Sequence, residues 1–231
     1  MNKTFLLAAI PLFWRMSMLD RWSLKHLKPG LKGVAKQLSR TGLRANHVTV
    51  TGFMIGMLCV PLLAYEQYSW ALVALLLNRL ADGLDGELAR LQEPTDVGAF
   101  LDIVLDFIFY SAIVFGFALA NPEQNSLAAS ALIFSFMGTG SSFLAFAIFA
   151  ERRQLSSMTY PNKGFYYLNG ITEGTETIAI FVLMCLLPQY FMQLAWMFAG
   201  LCALTTAIRV RSAVYSLKQS EQCKTKPTES S

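Results

Sequence analysis

Four carboxylates, Asp82, Asp85, Asp102 and Asp106, are the residues of this chain whose type and spacing can do chemistry. Asp82 and Asp85 stand at i, i+3, and Asp102 and Asp106 at i, i+4, so on helices each pair shares a face. Small residues continue those faces: Gly86 and Ala89 after the first pair, Gly98 one turn before the second. Two facing helices would bring all four acids to one point, with little side-chain bulk beside them. Four anions that close repel one another and take up protons unless cations hold them. Carboxylate oxygens are hard ligands and suit Mg2+ or Mn2+. Two such ions about 3.5–4 Å apart would make a phosphoryl-transfer centre.

The elements that must position these acids are apolar. Ala71–Leu77 is wholly so, only Asn78 and Arg79 interrupt the run before Asp82, and Phe107–Ala120 runs straight out of Asp106. Ionisable groups at the edge of a membrane span are costly and by default mark function. Composition agrees: of 231 residues, 54% are hydrophobic, 13% aromatic and only 15% charged. The mean hydropathy is +0.43, whereas soluble domains average about 25% charged residues. Long continuous apolar runs fit helices better than the alternation of a barrel. The fold class expected is therefore all-α integral membrane, a bundle of six transmembrane helices. Its spans are expected near 48–65, 69–90, 98–120, 126–150, 169–187 and 190–210. Pro94, Thr95 and Asp96 read as a break followed by a helix cap. Gly138, Gly140, Ser141 and Ser142 in the fourth span let helices approach closely. The four cysteines, Cys59, Cys185, Cys202 and Cys223, lack metal-ligand spacing and read as free thiols.

Charge distribution divides the chain into three. Residues 1–47 read as an N-terminal cytoplasmic or interfacial segment. Within them, 18–44 alternate Arg21, Lys25, Lys28, Lys32, Lys36, Arg40 and Arg44 with leucines and Val34. That pattern makes an amphipathic juxtamembrane helix on an anionic lipid surface, interrupted at Pro29 and Gly30. Residues 48–213 form the six-helix membrane domain, and 214–231 a polar cytoplasmic tail, expected to be disordered from about Gln219. Loops 66–69, 121–126 and 188–192 hold no Lys or Arg, whereas 151–168 holds Arg152, Arg153 and Lys163. The alternation places both termini, and with them the acids, on the cytoplasmic side of an inner, cytoplasmic-type membrane. No aromatic-interleaved basic module is present, so nucleic acid is not an expected partner.

The run Asp82-x2-Asp85-Gly86-x2-Ala89-Arg90, followed by Gly98-x3-Asp102-x3-Asp106, resembles the motif of the CDP-alcohol phosphatidyltransferase family, which makes membrane phospholipids. The stretch between, Leu91 to Val97, is one residue shorter than that family usually has. The resemblance implies a metal-dependent transferase. It would move a phosphatidyl group from CDP-diacylglycerol to the hydroxyl of a small polar alcohol or phospholipid acceptor, releasing CMP. It implies Asp82, Asp85 and Asp102 as the main ligands of Mg2+ or Mn2+, two ions in all. Asp106 is then the base that takes the hydroxyl proton, and a further ligand. Gly86 and Ala89 would leave room for the nucleotide, and Arg90 would pair with its phosphates. Asn46 and Thr49 would help to hold the nucleotide, or else cap the first span. A homodimer in the bilayer is also implied.

Acceptor-binding candidates are Arg152 and Arg153 after the fourth span, and Glu173 and Glu176 at the start of the fifth. The arginines also serve the positive-inside rule. The two acids could instead pair with arginines across the bundle or favour a helix N-terminus. The rival class is a membrane transporter or divalent-cation carrier, and a third reading is an inactive lipid-nucleotide-binding member of the same family. A translocation path should leave polar groups at both faces, yet all four acids fall near one.

Overall fold

The computed structural model describes residues 30–152, 172 and 174–225. All the regular structure it describes is helical, in the order α1 (30–39), α2 (Ala45–Met57), α3 (Cys59–Ala64), α4 (Tyr68–Gln92), α5 (Asp96–Ala120), α6 (Pro122–Arg152), α7 (Gly174–Leu186) and α8 (Phe191–Thr225), with a 3-10 turn at Pro188–Tyr190. The basic stretch before residue 30, and with it Arg153, Lys163 and Glu173, lies outside the described residues.

Among the described residues, four stretches are long and apolar enough to cross a membrane: Ala45–Ala64, Asp96–Ala120, Pro122–Ala150 and Pro188–Lys218. The other two expected spans stand differently. In its described part the fifth is the short apolar helix Gly174–Leu186. The second, α4, has length enough, but Arg79, Asp82, Asp85, Glu87 and Arg90 sit in it. The helix that carries the chemistry is thus the least membrane-like of the long ones.

The chain divides into two compact units. One runs to Glu123 and takes in Phe181–Pro188; the other comprises Gln124–Ile180 and Gln189 onward. In the first, the expected opening span is broken at Leu58, between α2 and α3. Pro61 explains the break, because it has no N–H for the carbonyl of Met57 and its ring crowds that carbonyl. The core of this unit includes Leu63, Leu75, Phe109, Ile113, Val114 and Phe117, all essentially buried. Basic Lys32 and Lys36 of α1, and Arg40 just after it, face outward while Ala35 is buried with Val48 and Leu88.

Glycine lets α2 come close to its neighbours. A Cβ at Gly52 would lie 2.5 Å from that of Ala81, and one at Gly56 would lie 2.7 Å from the Phe109 ring and 2.9 Å from the Asn78 amide. These are atoms that cannot easily yield, so Gly56→Ala is expected to destabilise the protein by about 1–3 kcal/mol. Thermal melting of the purified protein in detergent checks this; an unchanged midpoint would show that the helices can separate without cost.

In the second unit, Gly138 on α6 faces Thr206 of α8, whose Oγ1 would be 3.1 Å from an added Cβ. Arg209 is buried and donates to the carbonyl of Thr139 at 2.8 Å. The small-residue run of α6 is therefore a packing surface. Helix α8 corrects one expectation, since it continues to Thr225 through the segment expected to be disordered from Gln219. No glycine or proline interrupts that segment before Pro227, and its Ser-Leu-Lys-Gln-Ser-Glu-Gln content sustains a helix.

Candidate active site

Helices α4 and α5 carry the acids, and a short connection joins them. Glu93 ends α4 with a positive φ of 74°. Pro94 follows and cannot continue a helix. Thr95 then caps α5, its hydroxyl oxygen accepting from the Gly98 N–H at 3.1 Å. The break and cap expected from Pro94, Thr95 and Asp96 are both present.

Across this turn, one carboxylate oxygen from each of Asp82, Asp85 and Asp102 lies within 4.8 Å of the others. All four acids line one small cavity, as expected, and within it Asp106 stands a little apart from the other three. The physical reason is Arg79. Its guanidinium lies 2.8 Å from Asp106 Oδ1 and 3.6 Å from Asp82 Oδ2. Tyr110 donates its hydroxyl to Asp106 Oδ2 at 3.1 Å. The guanidinium also lies over the Phe109 and Tyr110 rings, 5.0 and 5.6 Å from their centroids.

Asn78 anchors this cation. Its amide nitrogen donates to the Gly52 carbonyl at 2.9 Å, and its oxygen accepts from Arg79 Nε and Nη2 at 2.9 and 2.6 Å. The close approach that Gly52 and Gly56 permit is what brings Asn78 to that carbonyl. Sequence reasoning assigned no role to Asn78, Arg79 or Tyr110. The signal available was the presence of a polar pair inside an apolar run, just ahead of the first acid.

Two cavities meet these acids. The smaller, of about 10 Å³, is lined by all four together with Thr49, Asn78 and Arg79. The larger holds about 630 Å³, and its wall includes Asn46, Thr49, Asp85, Gly86, Ala89 and Asp102. A Cβ at Gly86 would meet no atom within 4 Å, so this glycine opens the wall. Asn46 and Thr49 lie within α2 rather than at its cap. Arg44 holds the cap position and makes no capping bond, and the Thr49 hydroxyl donates back to the Ala45 carbonyl at 3.2 Å. The Gln92 side chain does the capping: its oxygen accepts from the Ala45 N–H at 3.1 Å and its nitrogen donates to the Leu43 carbonyl at 2.6 Å. The end of the motif helix thereby holds the segment that presents Asn46.

Arg90 is not among the residues lining either cavity. Its guanidinium pairs with the buried Glu87 one turn back. Arg152 and Glu176 belong to the second unit.

The donor set fits a hard divalent cation. Three carboxylates converge, and Asp85, only 6% exposed, has an Oδ2 with no hydrogen-bond partner. A buried anionic oxygen without a partner is costly, and a cation relieves that cost. A void of this size accommodates one water-sized body, comparable to a single ion.

Comparison with known proteins gives concordant findings. A family model described as CDP-alcohol phosphatidyltransferase matches residues 43–210. The Escherichia coli (strain K12) inner membrane protein YnjF is 52% identical over 201 residues, covering 87% of this chain and 98% of that protein. An archaetidylinositol phosphate synthase of Pyrococcus horikoshii is 30% identical over 112 residues, covering 48% of this chain and 60% of that protein. Among solved structures, the Mycobacterium tuberculosis phosphatidylinositol phosphate synthase PgsA1 with CDP-DAG bound aligns with a TM-score of 0.60 at 19% identity, covering 79% of this chain and 92% of that one. The same enzyme in complex with manganese and citrate aligns with a TM-score of 0.61, also at 19% identity, covering 79% of this chain and 88% of that one.

Proposed function

This chain belongs to the CDP-alcohol phosphatidyltransferase family, a family of membrane phosphotransferases, and from that premise we propose that it transfers a phosphatidyl group from CDP-diacylglycerol to a hydroxyl acceptor and releases CMP. The observation that carries this reading is the larger cavity. Its wall is opened by Gly86 and Ala89, and Asp85 and Asp102 extend from it into the three-carboxylate set. A nucleotide diphosphate in that cavity would lie beside the only clustered acids among the described residues that fit a metal.

Asp82, Asp85 and Asp102 would hold Mg2+ or Mn2+. Bound metal supplies neutralisation of the diphosphate and of CMP as it leaves. Two ions are proposed, and Asp85 and Asp102, which line both cavities, would be among the residues that hold them. Asn46 and Thr49 line the nucleotide's side of the cavity. The acceptor hydroxyl attacks the lipid-side phosphorus, the bond from that phosphorus to the CMP oxygen breaks, and the hydroxyl proton passes to Asp106. Arg79 and Tyr110 each occupy one lone-pair site of Asp106, leaving others for the proton, since a carboxylate offers about four. Arg90 would reach the nucleotide phosphates by exchanging its Glu87 partner.

Arg152, Arg153, Glu173 and Glu176 remain the candidates for the acceptor, whose mixture of charges suits a polar or zwitterionic alcohol. Six spans, a homodimer, and termini and site on the cytoplasmic side complete the proposal, the last resting on the basic loops. The transporter reading has less support: the acids close on one cavity system, and no second cluster of candidate metal-binding acids occurs among the described residues.

The test is CMP release by purified protein in lipid, with CDP-diacylglycerol, Mn2+ or Mg2+, and a panel of acceptors: glycerol phosphate, inositol phosphate, serine and a phospholipid. Release with one acceptor that stops on adding EDTA is the expected result. Metal-independent release, or none with bound CDP-diacylglycerol and every acceptor, would defeat the transferase reading.

A further inference from the structure

We propose that Glu93, in the short connection between α4 and α5, reads the base of the nucleotide and makes the larger cavity selective for cytidine. The inference rests on the reading of that cavity as the nucleotide's place and names the residue that chooses the nucleotide. Two independent observations point to Glu93. The first is its backbone. Only Glu93, Pro94 and Thr95 turn the chain from α4 into α5, and Glu93 holds φ 74° and ψ 123°. Pro94 accounts for the extended ψ of the residue before it. The positive φ is a region that glycine enters freely and a side chain enters under strain. A glutamate kept where glycine would sit unstrained points to a use for its side chain. The second observation is its place. Glu93 lines the cavity of about 630 Å³ together with Asp85 and Asp102. Asp85 stands seven residues before Gln92, the last residue of α4, which is about 10 Å of helix rise. A diphosphate beside the metal-binding acids would thus leave its base at the Glu93 end, one nucleoside length away.

Hydrogen-bond chemistry makes the choice. Cytosine carries an amine where uracil carries an oxygen. A carboxylate only accepts, so it takes a hydrogen bond from the amine and sets its lone pairs against the oxygen. The other polar groups of the wall do not discriminate in this way. Asn46 can turn either end of its amide to a base, and hydroxyls both donate and accept. Gln92 has both ends engaged, with the Ala45 N–H and the Leu43 carbonyl. Arg44, also in the wall, only donates, and phosphate oxygens present in both nucleotides accept from it equally. No ion pair among the described residues engages Glu93, so its carboxylate is available to a ligand.

The experiment is calorimetric titration of the full chain, in detergent with Mn2+, by CDP, UDP and 2′-deoxy-CDP. Compared are wild type, Glu93→Gln and Glu93→Gly. Wild type is expected to bind CDP at least about tenfold more tightly than UDP, and each variant to bring the two within about threefold. The ratio of CDP to 2′-deoxy-CDP affinity should stay the same throughout. Thermal melting separates reading from folding. Glu93→Gly releases the strained φ and should melt at or above the wild-type temperature while losing the preference. A preference for CDP that survives in both variants makes Glu93 a connector alone and overturns the inference. Variants that change the ratio of CDP to 2′-deoxy-CDP instead would set the carboxylate against the ribose and overturn it too. Wild type that binds CDP and UDP alike overturns it while leaving the cavity as the nucleotide's place. Wild type that binds neither, nor CDP-diacylglycerol, overturns that reading of the cavity and the inference with it.

Discussion

Asp85→Asn is expected to lower CMP release by roughly a thousandfold or more, because it removes the most buried of three converging carboxylates proposed to hold the metal, and several kcal/mol of transition-state stabilisation with it. The same change should make the metal-free protein more stable. Asp85 is 6% exposed, its Oδ2 has no hydrogen-bond partner, and two further carboxylate oxygens lie within 4.8 Å. Without metal, the fold carries that desolvated and repelled charge at a cost. Asparagine keeps the shape and removes the charge. In EDTA the melting temperature should rise by roughly 2–4 °C for each kcal/mol of repulsion relieved. In Mn2+ the order should reverse, since only wild type gains from binding the ion. CMP release near the wild-type rate, or a variant that melts lower in EDTA, would show that Asp85 is a structural acid rather than a ligand.

Gly86→Leu should lose at least about a hundredfold in CMP release, the scale on which misplacing a substrate by an ångström is felt. Its logic is the reverse of the Gly56 case. At Gly56 a side chain would strike protein, whereas at Gly86 a Cβ meets nothing within 4 Å and enters the cavity of about 630 Å³. The fold should therefore tolerate leucine. Stability should hold or rise slightly, because glycine inside a helix costs roughly 0.5–1 kcal/mol relative to alanine. The discriminating measurement pairs the melting curve with the apparent affinity for CDP-diacylglycerol. Intact melting with lost binding supports the cavity as the nucleotide's place. Full activity would move the nucleotide elsewhere, and a collapsed melting transition would make Gly86 a packing residue.

Helix identity was legible in the sequence where a local rule applies. Pro94 and Thr95 end one helix and cap the next through contacts no more than three residues apart, and such short-range chemistry is readable without a fold. Pro61 carried an equally local message, the break at Leu58, that the hydropathy of the first span masks. Arg79 was visible only as an exception within an apolar run. Its partners Asp106 and Tyr110 are 27 and 31 residues away, and the Gly52 carbonyl that anchors Asn78 is 26 away. Arg90 shows the opposite difficulty. The motif offers it to phosphate, while the described structure engages it with Glu87, a neighbour at i−3 that competes for the same charge.

By itself the sequence determined the class and the parts. An apolar composition, two acid pairs at helical spacing and small residues beside them specify apolar helices that carry clustered carboxylates able to hold a hard cation. Helical periodicity does this because it settles which residues of one helix share a face. It does not settle how two helices are rotated and how closely they approach. Tertiary packing decided that: Gly52 and Gly56 admit α4 and Phe109 of α5 against α2, Asn78 reaches across to the Gly52 carbonyl, and Arg79 is thereby placed against Asp106. Four equivalent acids in the sequence become three converging carboxylates and one paired with a cation in the fold, because the Arg79 guanidinium is held against Asp106.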